Sequence, residues 1–136
     1  MNMRRILVGT IVLGIVGNAI DWLLNTYVWA SMMSAMTWVN PSPPMMWIII
    51  ANFAAAFMFM LMWDRFSGSV GGGAGAGFRL GLFAGAFINF PAVLGWQLYI
   101  KGFEYTTAWK FMVVGILWYG VLGIVASMLD GKKASA

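Results

Sequence analysis

The residues of this chain that could do chemistry are a few polar side chains placed inside long apolar stretches. Asn18, Asp21 and Asn25 follow one another at spacings of three and four residues, so they share one face of a helix. A carboxylate at the centre of a bilayer costs at least about 2.5–3.5 kcal/mol, and no basic residue is near Asp21 in the sequence. We therefore expect Asp21 to face other polar groups or a wet cavity.

Three further apolar stretches each carry a polar side chain at a comparable depth. Counted from the charged end of its stretch at about 1.5 Å per residue, each of these groups lies about 15–18 Å inside, and Asn18 and Asp21 lie about 20–24 Å inside the first stretch. We predict a polar cluster at mid-membrane depth, formed by Asn18, Asp21, Asn25, Asn52, Asn89 and Tyr119. Two interpretations stay open. One is a proton or cation site; the other is a polar clasp that fixes helix register through hydrogen bonds averaging about 0.6 kcal/mol each.

Methionine supplies the other candidate ligands, with 12 in 136 residues. Met32 and Met36 are four residues apart, which resembles the Met-x-x-x-Met pattern of copper-uptake proteins, and Met45 follows a proline-rich turn. Thioether sulfur is a soft ligand that suits Cu(I), so Met32, Met36 and Met45 are candidate metal ligands. The alternative is that these side chains fill apolar surface. Binding of a pigment or a quinone between the aromatic-rich helices is a further alternative.

The residue inventory excludes several kinds of site. The chain has no cysteine and no histidine, which excludes disulfides, thiolate metal sites, His-ligated haem and Ser–His or Cys–His catalysis. The segment GGGAGAG lacks the Gly-Lys-Ser/Thr of a phosphate loop and the strand context of a dinucleotide fingerprint, so it is interpreted as a linker. Basic residues are scattered rather than clustered, which excludes a nucleic-acid partner. We expect a protein that is not an enzyme.

Composition and hydropathy indicate the fold class. Hydrophobic residues make up 62% of the chain and charged residues 9%, against about 45–50% and about 25% in a soluble domain. Four apolar stretches are long enough to cross a bilayer, at about residues 6–30, 45–63, 77–100 and 107–129. The first follows two arginines as a secretory signal does, but it continues for a full span and is interpreted as a retained helix. We predict an all-α, four-span transmembrane helix bundle that forms one domain over residues 1–136.

The positive charges predict an orientation. With four spans, one side receives six of the 8 basic residues, namely Arg4, Arg5, Arg65, Arg79, Lys132 and Lys133. Lys101 and Lys110 fall on the other side. Because cytoplasmic loops are enriched in Lys and Arg, both termini are predicted to be cytoplasmic. The expected location is the inner (plasma) membrane of a bacterial-type cell, with lipid as the surrounding partner.

Glycines at helical spacing predict close helix packing. They are Gly77, Gly81 and Gly85 in the third stretch and Gly115, Gly120 and Gly123 in the fourth. Without a side chain at these positions, a neighbouring backbone can approach closely. The sequence leaves open whether that neighbour belongs to the same chain or to a partner.

The glycine-spaced third stretch with Pro91 inside it, followed by Trp118-Tyr119-Gly120, resembles small bacterial four-helix membrane proteins of unassigned function. The resemblance covers about the second half of the chain and implies no catalytic residues. We expect a small accessory or scaffold subunit that packs against other transmembrane subunits, or against itself, through its glycine faces. Two alternatives stay open. They are a small transporter of protons, cations or solutes at the Asp21 cluster, and Cu(I) handling by the outer methionines.

Overall fold

The computed structural model describes residues 2–34, 36, 39 and 44–130. Its long helices are α1 (Met3–Ser34), α2 (Met45–Phe66), α3 (Ala74–Tyr99) and α4 (Tyr105–Leu129). All 4 are long and apolar enough to cross a membrane, so the prediction of an all-helical chain with four such helices is confirmed. The proline turn at 41–43 and the tail lysines at 132 and 133 lie outside the described residues.

Helix α1 changes its hydrogen-bonding pattern part of the way along. It is α-helical over Met3–Leu23, π-helical over Leu24–Trp29 and α-helical again over Ala30–Ser34. At the point of change, Asn25 Nδ2 donates to the Asp21 carbonyl and Thr26 Oγ1 donates to the Trp22 carbonyl, both at 2.8 Å. Side chains that bond a carbonyl one turn back compete with the backbone ladder. The π-helical turn therefore begins where these two side chains supply alternative bonds.

The helices pack as two antiparallel pairs, α1 with α2 and α3 with α4. The pairs meet mainly where α4 packs against α1, with a smaller contact between α4 and α2. The core between them contains Leu13, Ala56, Met60, Trp63 and Leu122. Helix α3 makes nearly all its helix contacts with α4, so most of its circumference faces away from the chain.

Glycine makes the α3–α4 crossing close enough for backbone contact. A Cβ added to Gly77 would collide with the carbonyl of Gly123, and one added to Gly81 would collide with the carbonyl of Tyr119. A Cβ at Gly85 would lie 2.8 Å from the Cα of Ile116. The glycine face of α3, whose neighbour the sequence leaves open, thus meets a helix of the same chain.

The glycines of α1 and α4 are also covered within the chain. In α4, Gly115 lies against the Asn89 side chain and Gly120 lies against the Phe78 ring. In α1 the glycines face larger side chains of α2 and α4, in the pairs Gly9–Met60, Gly14–Phe53 and Gly17–Trp118. These glycine faces are therefore covered by other helices of the same chain and are not free to contact an external partner.

Candidate functional site

Asn18, Asp21 and Asn52 form a hydrogen-bonded group between α1 and α2, called the Asp21 site below. Asn52 is 8% exposed, and its Nδ2 donates to Asp21 Oδ2 at 2.8 Å and to Asn18 Oδ1 at 3.2 Å. Asn18 Nδ2 in turn donates to the carbonyl of Gly14 at 2.8 Å. One amide nitrogen of α2 therefore holds two side chains of α1 that are three residues apart.

The packing of α1 on α2 explains why these side chains meet. The ring of Phe53 fills the space that a side chain at Gly14 would take, and Met60 fills the space at Gly9. These two contacts bring the helix surfaces together over two turns of α1. Asn52 precedes Phe53, so the same packing directs it toward the next turn of α1, where Asn18 and Asp21 lie.

The Asp21 carboxylate carries the only acidic charge in the middle of a helix, since Asp64, Glu104 and Asp130 all lie at helix ends. Within the described residues, no Lys or Arg is in ion-pair distance of Asp21. A carboxylate can accept about four hydrogen bonds, and Asn52 is the side chain that donates to this one. The remaining capacity of the half-buried group can hold a proton, a water molecule or a small cation.

The other predicted members of the cluster lie elsewhere. Asn25 is exposed and donates to the backbone of its own helix. Asn89 donates to the carbonyl of Gly85 at 2.9 Å and lies in the α3–α4 crossing. The Tyr119 ring packs against Phe59 of α2, with centroids 5.9 Å apart. Similar depth does not place side chains at similar angles around the bundle. Of the predicted cluster members, all of which the structure describes, Asn18, Asp21 and Asn52 are the ones joined by hydrogen bonds between side chains.

Trp118 is a residue beside the site that sequence reasoning did not assign to it. Its ring covers Gly17, next to Asn18 in the chain. Its Nε1 is buried and has no hydrogen-bond partner among the described residues. The glycine in α1 and the large ring in α4 were visible in the sequence, but only the packing shows that they face each other.

A second charged group links the ends of α1, α2 and α4. Sequence reasoning used its charged members for orientation and as reference points for depth, not as a cluster. Arg5 at the start of α1 forms an ion pair with Asp130, at the end of α4, and another with Asp64, in the last turns of α2, at 3.7 Å. Its Nη2 also donates to Ser67 Oγ at 3.3 Å, and Trp63 Nε1 donates to Asp130 Oδ2 at 3.4 Å. The start of α1 and the end of α4 therefore lie at the same end of the bundle.

The candidate copper ligands lie in the last turn of α1, just beyond it and at the start of α2. The Thr107 hydroxyl lies 4.0 Å from the sulfur of Met32, at the end of α1. Met36 lies beyond that helix and donates its N–H to the carbonyl of Met33 at 3.1 Å. Met45 begins α2 and is 71% exposed. Copper binding by these residues stays a prediction, as does binding of a pigment or quinone.

Comparisons with protein-family models, with curated proteins and with solved structures find no match to this chain. The functional argument therefore depends on the site itself.

Proposed function

We propose that this chain is a small multi-pass membrane protein that binds a proton or a small cation at Asp21 and transports it across the bilayer. The observation that carries the proposal is the Asp21 site itself. A carboxylate in the middle of a membrane-spanning helix is held by an amide from the facing helix, and no basic side chain of the described residues neutralises it. Ionisable groups at such depth are costly, and they mark ion and proton pathways in membrane proteins.

The cost of the charge favours transport over a purely structural clasp. A pair of Asn side chains from α1 and α2 could hold the same register, because the amide oxygen of Asn accepts the same hydrogen bond. Interhelical bonds of this kind contribute about 0.6 kcal/mol on average, whereas a mid-membrane carboxylate costs at least about 2.5–3.5 kcal/mol. A clasp alone therefore does not account for aspartate at position 21.

The backbone beside Asp21 gives independent support. The π-helical turn Leu24–Trp29 begins three residues after Asp21, and the Asp21 carbonyl accepts a bond from the Asn25 side chain. Single π-helical turns inside α-helices are frequent at functional sites. A helix with two alternative bonding patterns next to a charged group can adjust its geometry when the charge binds a proton or ion.

Flux measurements in proteoliposomes test this function. The wild-type chain is expected to carry protons, or a monovalent cation, down an imposed gradient, and Asp21→Asn is expected to abolish that flux. Glu104→Gln is the matched control, because it makes the same carboxylate-to-amide change at an exposed residue that precedes α4 and lies outside the Asp21 site. An Asp21→Asn variant that transports as well as wild type would contradict the proposal, as would a wild-type protein with no proton or cation flux.

The orientation belongs to the same proposal. One end of the bundle contains the start of α1, the end of α4 and the connection between α2 and α3. Its basic residues are Arg4, Arg5, Arg65 and Arg79. By the positive-inside rule that end faces the cytoplasm, in a plasma (inner) membrane.

A non-enzymatic accessory subunit is the second candidate, favoured by the surface of α3. Since the packed glycine faces are covered within the chain, a partner helix would meet the exposed aromatic side chains of α3, among them Phe87 at 76% and Phe90 at 48% exposure. Purification in mild detergent is expected to recover a stoichiometric membrane partner or a defined oligomer, and Phe87→Ala is expected to reduce that recovery. A clean monomer would count against this role.

A further inference from the structure

A groove at the arginine-rich end of the bundle lies apart from the Asp21 site. It has a volume of about 550 Å³ and lies between the end of α2 and the start of α3. Its walls are mostly apolar, from Met62, Phe66, Val70, Leu80 and Phe83, and its polar groups are Arg79 and Ser69. Such a groove can bind an amphipathic anion, because its apolar walls contact the apolar part of the ligand and the guanidinium of Arg79 binds the anionic part.

No acidic side chain of the described residues neutralises Arg79. The chain contains only 4 acidic residues. Asp64 and Asp130 pair with Arg5, while Asp21 lies in α1 at the other site and Glu104 lies at the opposite end of the bundle. In the part of the chain that the structure describes, no carboxylate is within ion-pair distance of Arg79. Its guanidinium is therefore available to an external anion.

The position of Arg79 matches the level of lipid headgroups. It lies in the second turn of α3, at the same end as Arg65 in the last turn of α2. Phe66 and Phe83 are 55% and 69% exposed, so the groove opens sideways toward the surrounding lipid. A guanidinium binds a phosphate through two parallel N–H···O bonds, and basic pockets between membrane helices bind lipid head groups.

We propose that this groove binds one anionic phospholipid of the bilayer. The phosphate accepts hydrogen bonds from Arg79 and the Ser69 hydroxyl, and an acyl chain lies along Leu80, Phe83 and Met62. Charge decides between a lipid and a second copy of the chain. A copy that docked symmetrically through the same face would bring its own Arg65 and Arg79 toward this groove, and like charges oppose that contact.

Native mass spectrometry of the full chain in a mild non-ionic detergent tests the lipid site. Phosphatidylglycerol and phosphatidylcholine with identical acyl chains are added at equal concentration. Wild type is expected to retain one phosphatidylglycerol in preference. Arg79→Gln is expected to weaken that retention at least about tenfold, the scale of one lost charge-assisted contact. Arg65→Gln is the matched control, because Arg65 is an exposed arginine at the same end that does not line the groove.

A second pair of variants tests the apolar half of the groove. Phe83→Ala is expected to weaken phosphatidylglycerol retention, whereas Phe87→Ala is expected to leave it unchanged. Phe87 is similarly exposed one turn further along α3 but does not line the groove. Equal retention of the two lipids, or equal losses in Arg79→Gln and Arg65→Gln, would overturn the proposal. Displacement of the lipid by millimolar inorganic phosphate would also overturn it, since free phosphate lacks the acyl chain.

Discussion

The side-chain nitrogen of Asn52 lies 2.8 Å from a carboxylate oxygen of Asp21, which joins α2 to α1 in the middle of the bundle. The same nitrogen reaches Asn18 at 3.2 Å, so both of its hydrogens are directed at α1. A link of this kind has structural and functional consequences at once. It fixes the register of the helix pair, and it keeps the Asp21 carboxylate turned toward protein rather than lipid.

Replacing Asn52 is expected to uncouple the two helices more than replacing Asp21. Asn52→Leu removes both donors and should lower the free energy of unfolding by about 1–3 kcal/mol, because two acceptors lose their partner. Asp21→Asn keeps an acceptor for Asn52 and removes the costly carboxylate, so it should not lower the free energy of unfolding. Reversible unfolding in mixed micelles measures both. A double-mutant cycle between Asn52→Leu and Asp21→Ala should give a coupling of about 1 kcal/mol, and additive effects would contradict the contact.

The ion pairs of Arg5 predict a larger stability effect at the helix ends. The side chains of Asp64 and Asp130 are 8% and 6% exposed, and both pair with Arg5. Arg5→Gln removes the guanidinium that faces two nearly buried carboxylates and is expected to destabilise the bundle by about 3 kcal/mol. Adding Asp64→Asn and Asp130→Asn to that variant should restore part of the loss, because the two side chains that Arg5 faced are then neutral.

Arg4→Gln is the matched control for Arg5, since Arg4 is the neighbouring, exposed arginine. It is expected to change the free energy of unfolding by less than about 0.5 kcal/mol, as surface substitutions usually do. Equal losses of unfolding free energy in Arg4→Gln and Arg5→Gln would show that stability depends on the total positive charge at this end and not on the ion pairs of Arg5.

The apolar stretches and the glycine spacing were sufficient to predict the helices, because both signals are local. The number of span-capable helices follows from lengths of apolar sequence, and it agrees with the structure. The π-helical turn in α1 was not predicted. It coincides with side-chain bonds from Asn25 and Thr26 to the preceding turn, but bonds of the same kind from Asn18 and Asn89 leave the helix regular, so this signal does not identify a π-helical turn.

The site was harder to predict because depth along a helix is readable from sequence but direction around the bundle is not. Asn89 and Tyr119 have the right depth, yet one faces the α3–α4 crossing and the other faces Phe59. The ion pairs of Arg5 with Asp64 and Asp130 were also not predicted. These residues were visible at the helix ends, and only the neighbour relations of α1, α2 and α4 bring them together.

Substitution by alanine is expected to have opposite effects on the free energy of unfolding at Gly81 and at Gly95, both in α3. A Cβ at Gly81 would collide with the carbonyl of Tyr119, while nothing lies within 4 Å of a Cβ at Gly95. Gly81→Ala is expected to cost about 1–3 kcal/mol, because backbone contacts in α3 and α4 must separate. Gly95→Ala is expected to be neutral or stabilising by up to about 1 kcal/mol, the helix propensity of alanine over glycine. Equal unfolding free energies for the two variants would argue against the close crossing.

The absence of cysteine allows a direct measurement of topology. Ser69, in the connection between α2 and α3, and Thr106, in the first turn of α4, are exposed at opposite ends of the bundle. Ser69→Cys should react with a membrane-impermeant maleimide only from the cytoplasmic side, and Thr106→Cys only from the outer side, because the positive-inside rule predicts that the arginine-rich end is cytoplasmic. Reversed labelling would refute the proposed orientation and leave the bundle intact. Labelling of both positions from one side would contradict the spanning arrangement, and with it a transport role for Asp21.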